Sequence, residues 1–238
     1  MSVVAVVLAR GGSKGLPGKN TADVAGKPCV QWTIEAALRA ELVDRVIVSS
    51  DDERVLEIGR DLGAIAHDRP AALASDTATV DDAVREAVRD DDAHTVAILY
   101  GNVPVRPDGL IDECVRTLLE NGADSTQSYA PVGKYHPWWT ARVDVESGIV
   151  RPWEGEVLNH GVFRRQDLPE AVIPDGGALV VSRRALFLEI EGVAAGPHAF
   201  FGLDRRGVMN DEGAVVDIDS RVDLLVADAL MRERLGIA

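Results

Sequence analysis

The spacing of hydrophobic positions changes several times along this chain. Val3–Leu8 is a continuous apolar run without alternation, which is typical of a parallel strand that is covered by helices on both faces. Further short apolar runs predict strands at Arg45–Ser49, Thr95–Leu99, Ala178–Val181 and Ala214–Ile218.

Between these runs, apolar residues recur at helical spacing. The predicted helical stripes are Val30, Ile34, Ala37 and Leu38; Val55, Ile58 and Leu62; Val80, Ala83, Val84, Ala87 and Val88; Leu110, Ile111, Cys114 and Leu118; and Val222, Leu225, Val226, Ala229 and Leu230. Pro28 suits the first turn of the first helix. The second helix can be capped by Asp51 or Asp52, and the third by Thr77 or Thr79. Strands that alternate with helices predict an α/β fold with a mostly parallel sheet and helices on both faces.

The regular pattern breaks between Pro131 and Pro174. This stretch holds three tryptophans and two histidines, namely Trp138, Trp139, Trp153, His136 and His160. A loop of this length is uncommon in a compact domain unless it is functional, so we predict a subdomain or an association arm at 131–174 within a single domain at 1–238. We expect a homodimer through this arm, because exposed apolar patches usually mark interfaces. The alternatives are acid-base or phosphate contacts for the histidines and ligand stacking for Trp138 and Trp139.

Composition narrows the class of protein. The 238 residues include 25 Lys and Arg against 39 Asp and Glu, a net charge of −14, and 46% are hydrophobic, which suffices for one core. The acidic balance argues against nucleic-acid binding. No apolar run reaches the roughly 18 residues that cross a bilayer, so we expect a cytoplasmic protein without membrane contact. Cys29 and Cys114 cannot form a disulfide framework and are interpreted as buried thiols.

A glycine-rich loop, Ala9–Asn20, follows the first predicted strand directly. Its glycines let the backbone approach an anion, and Arg10, Lys14 and Lys19 add three positive charges. The spacing fits neither the Walker motif nor Gly-x-Gly-x-x-Gly. Open α/β sheets bind ligands at the carboxyl ends of their strands, which favours a phosphate site over a mobile loop with solvated lysines.

Two carboxylates near the end of the chain predict a metal site. In a strand, Asp217 and Asp219 would point to the same side, about 7 Å apart, and could bind a hard divalent cation. Alternatively, Asp219 or Ser220 caps the last helix and Asp217 is an ordinary acid at the end of a strand. The cationic loop favours the metal, since a metal neutralises a triphosphate.

Five motifs, in this order, resemble the acylneuraminate cytidylyltransferase (CMP-N-acetylneuraminic acid synthetase) family. They are Ala9–Asn20, Asp44–Asp51, Arg69–Thr77, Arg165–Pro169 and Asp217–Asp219. The resemblance implies a three-layer α/β/α sandwich with Rossmann-like nucleotidyltransferase topology and an inserted dimerisation arm. It also implies a nucleotidyltransferase that uses CTP to activate a 2-keto-3-deoxy sugar acid, such as a nonulosonic or sialic acid, to its CMP-sugar with release of pyrophosphate.

The resemblance also implies a role for individual residues. The catalytic residues would be Lys19, Arg10 and Asp217. The nucleotide would be bound by Leu8, Ala9, Arg10, Gly12, Ser13, Lys14, Lys19, Asn20, Arg69, Ala74 and Ser75. The sugar acid would be bound by Arg165, Gln166, Phe200 and Phe201. We expect Tyr100 and Asn102 to contact it as well; the alternative for Tyr100, which stands where the family has a Gln, is packing in the core. Asp217 and Asp219 would hold the cofactor, Mg²⁺ or Mn²⁺.

The sequence departs from the family in its sugar-binding half. Leu99–Pro104 stands where the family usually has Leu-Gln-Pro-Thr-Ser-Pro, Ile173–Leu179 replaces Arg-Pro-Asn-Gly-Ala-Ile-Tyr, and Trp139 replaces a frequent Lys. Such changes alter which sugar acid is accepted, and we expect a deoxy di-N-acyl nonulosonic acid to be preferred over N-acetylneuraminate. The alternatives are a nucleotidyltransferase for another sugar or small alcohol, or a catalytically weakened nucleotide-binding module.

Overall fold

Strands and helices alternate through most of the chain, as the apolar spacing predicts. The computed structural model describes residues 1–12 and 14–237. The strands are β1 (Val3–Leu8), β2 (Asp23–Val24), β3 (Lys27–Pro28), β4 (Arg45–Ser50), β5 (Ile65–Asp68), β6 (Thr95–Tyr100), β7 (Ser125–Pro131), β8 (Ala141–Val143), β9 (Val150–Pro152), β10 (Val172–Ser182) and β11 (Arg205–Met209). The α-helices are α1 (Cys29–Arg39), α2 (Glu53–Asp61), α3 (Val80–Ala87), α4 (Leu110–Asn121), α5 (Arg183–Leu186) and α6 (Arg221–Leu235).

The central sheet has seven strands in the order β11-β7-β10-β6-β1-β4-β5. β1 pairs in parallel with β4 and β6, β4 with β5, and β11 with β7, whereas β10 runs antiparallel to β6 and β7. The prediction of a mostly parallel sheet is confirmed. The strands other than β10 all end at the same edge of the sheet, which we call the carboxyl edge.

Helices cover both faces of this sheet. Ala5 and Val7 of β1 pack with Ile34 of α1, on the face that α2 and α4 also cover. Val6 packs with Val84 of α3 on the opposite face, together with α5. Every residue of β1 is buried, which explains why the strand is apolar at every position rather than at alternate ones. The three-layer α/β/α arrangement is therefore confirmed.

Local signals predict the starts of α2 and α3, whereas Pro28 ends β3 and lies just before α1 instead of in its first turn. Asp52 caps α2 by accepting a hydrogen bond from the Arg54 amide, and Thr79 caps α3 through the Asp82 amide. At α6, Ser220 is the cap rather than Asp219, and Asp223 completes a capping box with it.

The structure corrects two predictions near the end of the chain. Ala214–Ile218 does not form a strand, because only Val216 makes an isolated bridge, to Val105. The predicted apolar face of α6 is also wrong. Val222 and Leu225 are 67% and 59% exposed, whereas Ala227 and Met231 face the core. Apolar residues occur on both sides of α6, so their spacing does not identify the buried face.

The segment at 131–174 leaves the sheet at the end of β7 and returns along β10. It contains the β8–β9 hairpin, and the ring of Trp138 stacks on that of His160 with centroids 4.8 Å apart. His136 is buried, and its Nε2 lies 3.1 Å from the Pro169 carbonyl oxygen. The boundaries of this arm and its role in association stay predictions. Among the helices at residues 1–12 and 14–237, none has both the length and the apolar character needed to cross a membrane.

Candidate functional site

The glycine-rich loop leaves β1 at the carboxyl edge, and its base is fixed to the neighbouring strands. The Ser50 hydroxyl donates to the Ala9 carbonyl at 2.5 Å, and buried Asn20 donates through Nδ2 to the Arg10 carbonyl at 2.8 Å. Gly101, just after β6, lies so close to Ala9 that a Cβ added to Gly101 would be 2.8 Å from the Cβ of Ala9. Of the other loop residues in the expected nucleotide site, Leu8 ends β1, Gly12 is exposed, and Ser13 lies outside the described residues.

The three cations of the loop each lie against a carboxylate. Lys19 Nζ is 2.6 Å from Asp219 Oδ1. Arg10 Nη1 lies 3.2 Å and Lys14 Nζ 2.6 Å from the carboxylate of Asp76. Exposed ion pairs contribute only about 0–1 kcal/mol, so a ligand with several charged oxygens can replace these carboxylates. The exposed fraction of the side chain rises from 15% for Lys19 to 38% for Arg10 and 79% for Lys14.

A buried arginine, Arg69, lies beside the glycine-rich loop. Arg69 donates through Nη2 to the Ser49 carbonyl at 2.6 Å and through Nε to the Ser49 hydroxyl at 3.1 Å. Burial lowers the pKa of the Arg69 guanidinium, and the negative charge of Asp51 partly opposes this effect. Arg10 Nη1 also lies 3.3 Å from the Ser75 carbonyl, which Ala74 precedes. The structure thus brings the segment at 69–77 beside the glycine-rich loop.

Asp217 and Asp219 reach the carboxyl edge without the predicted strand. Between them, Ile218 is completely buried and exchanges two hydrogen bonds with Asn102. Burial of its carboxyl group, followed by the negative charge of Asp219, raises the pKa of Asp217, and Lys19 opposes this shift. The two carboxylates and Lys19 therefore lie within electrostatic range of one another.

These two carboxylates fit a divalent cation only with further ligands. Within the part of the chain that the structure describes, no group of three His, Cys, Asp or Glu side chains is arranged to hold a metal ion. Two neighbouring carboxylates attract a cation between them, because each interacts favourably with its positive charge. Hard cations take oxygen ligands, and Mg²⁺ is usually held by one or two carboxylates together with phosphates and water.

The residues expected to bind the sugar acid do not all lie beside the glycine-rich loop. Tyr100 ends β6, and burial, followed by the charge of Asp217, raises the pKa of its hydroxyl. The side chain of Asn102 is bonded to the Ile218 carbonyl. Arg165 pairs with Glu212 at 2.6 Å beyond the ends of β7 and β11, with exposed Gln166 next to it. Three strand spacings of about 4.8 Å separate β7 from β1, so Arg165 lies on the order of 14 Å along the edge from the loop.

Phe200 and Phe201 do not join this cluster. The Phe201 carbonyl accepts a hydrogen bond from the hydroxyl of Ser125, the first residue of β7, at 2.7 Å. This contact places the pair at the edge opposite the carboxyl edge. Phe200 is 4% exposed and packs with Leu186 of α5 in the core. Spacing along the sequence does not reveal the edge of the sheet at which a connecting segment lies.

Two acidic residues of the site were not singled out from the sequence. Asp76 contacts both Arg10 and Lys14, and Asp51 accepts a hydrogen bond from the Gly11 amide at 2.8 Å. Both lie inside motifs that carry the family resemblance, Arg69–Thr77 and Asp44–Asp51, which is the signal that could have identified them.

Known proteins similar to this chain include several that act on cytidine nucleotides. A family model described as "Cytidylyltransferase" matches residues 4–150. The chain is 28% identical over 239 residues to N-acylneuraminate cytidylyltransferase of Escherichia coli O18:K1:H7, covering 98% of this chain and 52% of that protein. It is 29% identical to pseudaminic acid cytidylyltransferase of Campylobacter jejuni subsp. jejuni serotype O:23/36, covering 98% and 97%. The chain spans about half the length of the N-acylneuraminate cytidylyltransferases that it matches.

Solved structures with the same fold are more distant in sequence. The CMP:2-keto-3-deoxy-manno-octonic acid synthetase complexed with CTP aligns with a TM-score of 0.74 at 20% identity, covering 98% of this chain and 100% of that one. The 4-diphosphocytidyl-2C-methyl-D-erythritol synthase of Anaerococcus prevotii aligns with a TM-score of 0.62 at 12% identity, covering 97% and 98%. At these identities the two structures establish the fold alone.

Proposed function

Because this chain belongs to the cytidylyltransferase family, we propose that it transfers CMP from CTP to a 2-keto-3-deoxy sugar acid and releases pyrophosphate. The observation that carries the proposal is the contact between Lys19 and Asp219, 200 positions apart in the chain. This contact joins the glycine-rich loop to the carboxylate pair at one edge of the sheet. The names of the relatives, which cover N-acylneuraminate, pseudaminic acid and 3-deoxy-manno-octulosonate, support an acidic keto sugar.

The loop cations would bind the triphosphate of CTP. Lys19 is the least exposed of the three, so its charge is screened least by water and acts most strongly on charge that develops during the reaction. The remaining nucleotide contacts would come from Leu8, Ala9, Gly12, Ser13, Asn20, Arg69, Ala74 and Ser75. The anomeric hydroxyl of the sugar acid would attack the α-phosphate in line as pyrophosphate leaves, a reaction that depends mainly on positioning and charge neutralisation.

Asp217 and Asp219 would hold the metal cofactor, Mg²⁺ or Mn²⁺. When bound, such a cation neutralises phosphate charge as a Lewis acid. The part of the two aspartates is to present oxygen ligands beside Lys19, on a segment that buried Ile218 fixes.

The sugar acid we propose is a nonulosonic acid of the pseudaminic type. Of the substitutions behind this preference, Leu179 is 3% exposed in the core and does not line a site. The preference therefore depends on two residues. Tyr100 is beside Asp217 and replaces a family Gln, and Trp139 of the arm, which donates from its indole nitrogen to the Val162 carbonyl at 3.0 Å, replaces a family Lys. Arg165 supplies a guanidinium suited to a carboxylate. The relative from C. jejuni, matched over 97% of its length, supports the same choice.

A homodimer through the arm and a cytoplasmic location belong to the same proposal. The arm exposes large apolar side chains, and Phe163 at 85%, Val157 at 60% and Trp153 at 55% are among them. Exposed apolar patches of this kind usually mark an interface.

The test is pyrophosphate release from CTP, ATP, GTP and UTP with a panel of acceptors. The acceptors are N-acetylneuraminate, pseudaminate, 3-deoxy-manno-octulosonate and a small alcohol, and mass spectrometry identifies the product. We expect a CMP-sugar from CTP, and a loss of about 10²–10³-fold in kcat/KM for Lys19→Ala. Lys134→Ala, which removes an exposed lysine of the arm, serves as the matched control and should retain full activity.

Other outcomes distinguish the alternatives. Equal rates with ATP would contradict the assignment of the nucleotide. Binding of CTP without turnover of any acceptor would indicate a nucleotide-binding module instead of an enzyme. N-acetylneuraminate as the best acceptor would overturn the argument from Tyr100 and Trp139 while leaving the cytidylyltransferase assignment in place.

A further inference from the structure

The segment that carries Asp217 and Asp219 is attached to the turn after β6. The Val216 amide donates to the Val105 carbonyl at 3.1 Å, and the Ile218 amide donates to the Asn102 carbonyl at 2.8 Å. Asn102 adds a second bond, from its side-chain Nδ2 to the Ile218 carbonyl at 3.1 Å. One residue thus occupies both backbone polar groups of Ile218.

These two bonds fix the backbone on both sides of Ile218. The Ile218 amide belongs to the peptide that joins it to Asp217, and its carbonyl belongs to the peptide that joins it to Asp219. Asn102 therefore sets the orientation of both peptide planes between the two aspartates. The side chain of Ile218, which is 0% exposed, anchors the segment from the other side by packing with Trp32 and Met231.

The turn that carries Asn102 is itself held in place. Thr33 of α1 places its hydroxyl 3.2 Å from the Tyr100 carbonyl and 2.9 Å from the Val103 carbonyl. Asp217 and Asp219, in contrast, lie outside any helix or strand. The Asp219 amide also donates to Asp223 at 3.2 Å, but only the bonds to Asn102 hold the two peptides that lie between the aspartates, so the spacing of the carboxylates depends on them.

We propose that Asn102 is a positioning residue that sets the separation of the Asp217 and Asp219 carboxylates, instead of binding the sugar acid as expected from the sequence. The inference rests on the proposed function in one respect, namely that these two carboxylates hold a divalent cation. Groups that orient metal ligands commonly affect metal affinity by about 10–100-fold. Among the residues that the structure describes, these two aspartates are the ligands expected at this cation, so their spacing governs its affinity.

The test is Mn²⁺ binding, measured from the electron paramagnetic resonance signal of free Mn²⁺ without nucleotide. Asn102→Ala removes the side-chain donor, and Asn102→Leu removes it while keeping the same branching and number of side-chain heavy atoms without adding a charge. We expect the Kd for Mn²⁺ to rise about tenfold in both variants. In turnover assays, half-saturation by metal should shift in the same direction, with KM for the sugar acid unchanged.

Two controls separate positioning from a general loss of stability. Asn121→Ala removes a bond of the same kind, from Asn121 Nδ2 to the Thr117 carbonyl at 2.8 Å on α4, and should leave Mn²⁺ binding unchanged. Thr33→Val loosens the same turn without touching Ile218, so its Tm should fall while its Kd for Mn²⁺ rises much less than that of Asn102→Ala. Equal weakening in Thr33→Val would overturn the proposal, as would an increased KM for the sugar acid with unchanged Mn²⁺ binding in the Asn102 variants.

The binding assay requires no turnover, so the two proposals can fail separately. If the chain makes no CMP-sugar but the Asn102 variants lose Mn²⁺ affinity, the proposed function fails and the positioning role stands. If the enzyme is active and the Asn102 variants bind Mn²⁺ like the wild type, the positioning role alone is refuted.

Discussion

Replacement of Gly101 by alanine should disturb the base of the glycine-rich loop. The added Cβ would lie 2.8 Å from the Cβ of Ala9, 3.1 Å from Val30 Cγ2 and 3.3 Å from Asn20 Oδ1. The first of these distances is shorter than Cβ atoms tolerate, and Ala9 cannot rotate its side chain away. The backbone at Ala9 must therefore move, together with the loop that begins there.

The expected cost follows from overpacking, which typically destabilises a core by about 1–3 kcal/mol. At about 2 kcal/mol, a chain of this size loses on the order of 4–8 °C in Tm. The KM for CTP should also rise, since Ala9 and Asn20 belong to the proposed nucleotide site. Differential scanning calorimetry measures the first effect, and initial rates at varied CTP concentration measure the second.

A matched control and a rescue variant make this prediction specific. An added Cβ at Gly196 would meet nothing within 4 Å, so Gly196→Ala should change stability by no more than about 0.5 kcal/mol. In the Gly101→Ala background, Ala9→Gly removes the closest contact and should recover most of the lost Tm, a coupling between neighbours that a double-mutant cycle measures. Wild-type stability and KM in Gly101→Ala would refute the reasoning.

Three further predictions concern the metal, the thiols and the assembly. Asp217→Asn and Asp219→Asn should each abolish turnover without changing the far-ultraviolet circular dichroism, and EDTA should abolish wild-type turnover; full activity in EDTA would contradict the metal assignment. Burial raises the pKa of Cys29 and of Cys114 from 9.0 to about 12, so neither thiol should react with iodoacetamide at pH 8 in the folded protein. Because only the unfolded chain's thiols lose their protons between about pH 9 and pH 12, the free energy of unfolding should fall as the pH rises through this range. Light scattering at micromolar concentration should give the mass of a dimer, and Trp153→Asp with Phe163→Asp should shift it to the monomer, whereas a monomeric wild type would exclude association through the arm.

Features that depend on neighbouring residues could be predicted from the sequence. β1 follows from six adjacent apolar positions, and the start of α2 follows from Asp52 just before its apolar stripe. β7 was not predicted, because its sequence Ser-Thr-Gln-Ser-Tyr-Ala-Pro is largely polar although four of its residues are buried. The reversed direction of β10 is a property of the whole sheet and has no local signal.

The candidate site was predictable to a similar extent. The loop cations and the aspartate pair are recognisable as motifs, and the structure places Lys19 against Asp219. The bond from Asn102 to the Ile218 carbonyl crosses 116 positions, and nothing near Asn102 in the sequence indicates that its side chain is engaged there. The location of Phe200 was missed for the same reason, since it depends on the end of the sheet at which the chain crosses.

The contact between Lys19 and Asp219 also has a consequence for the time at which the site forms during synthesis. Closing a flexible loop of 200 residues costs about 5 kcal/mol in chain entropy, far more than one partly exposed ion pair returns. The pair therefore cannot form until the intervening sheet has folded. A nascent chain that has left the ribosome only as far as β11 has the glycine-rich loop but still lacks Asp217 and Asp219. Under the proposed function, such an unfinished chain would not turn over CTP, and inactivation by denaturant should coincide with unfolding of the sheet.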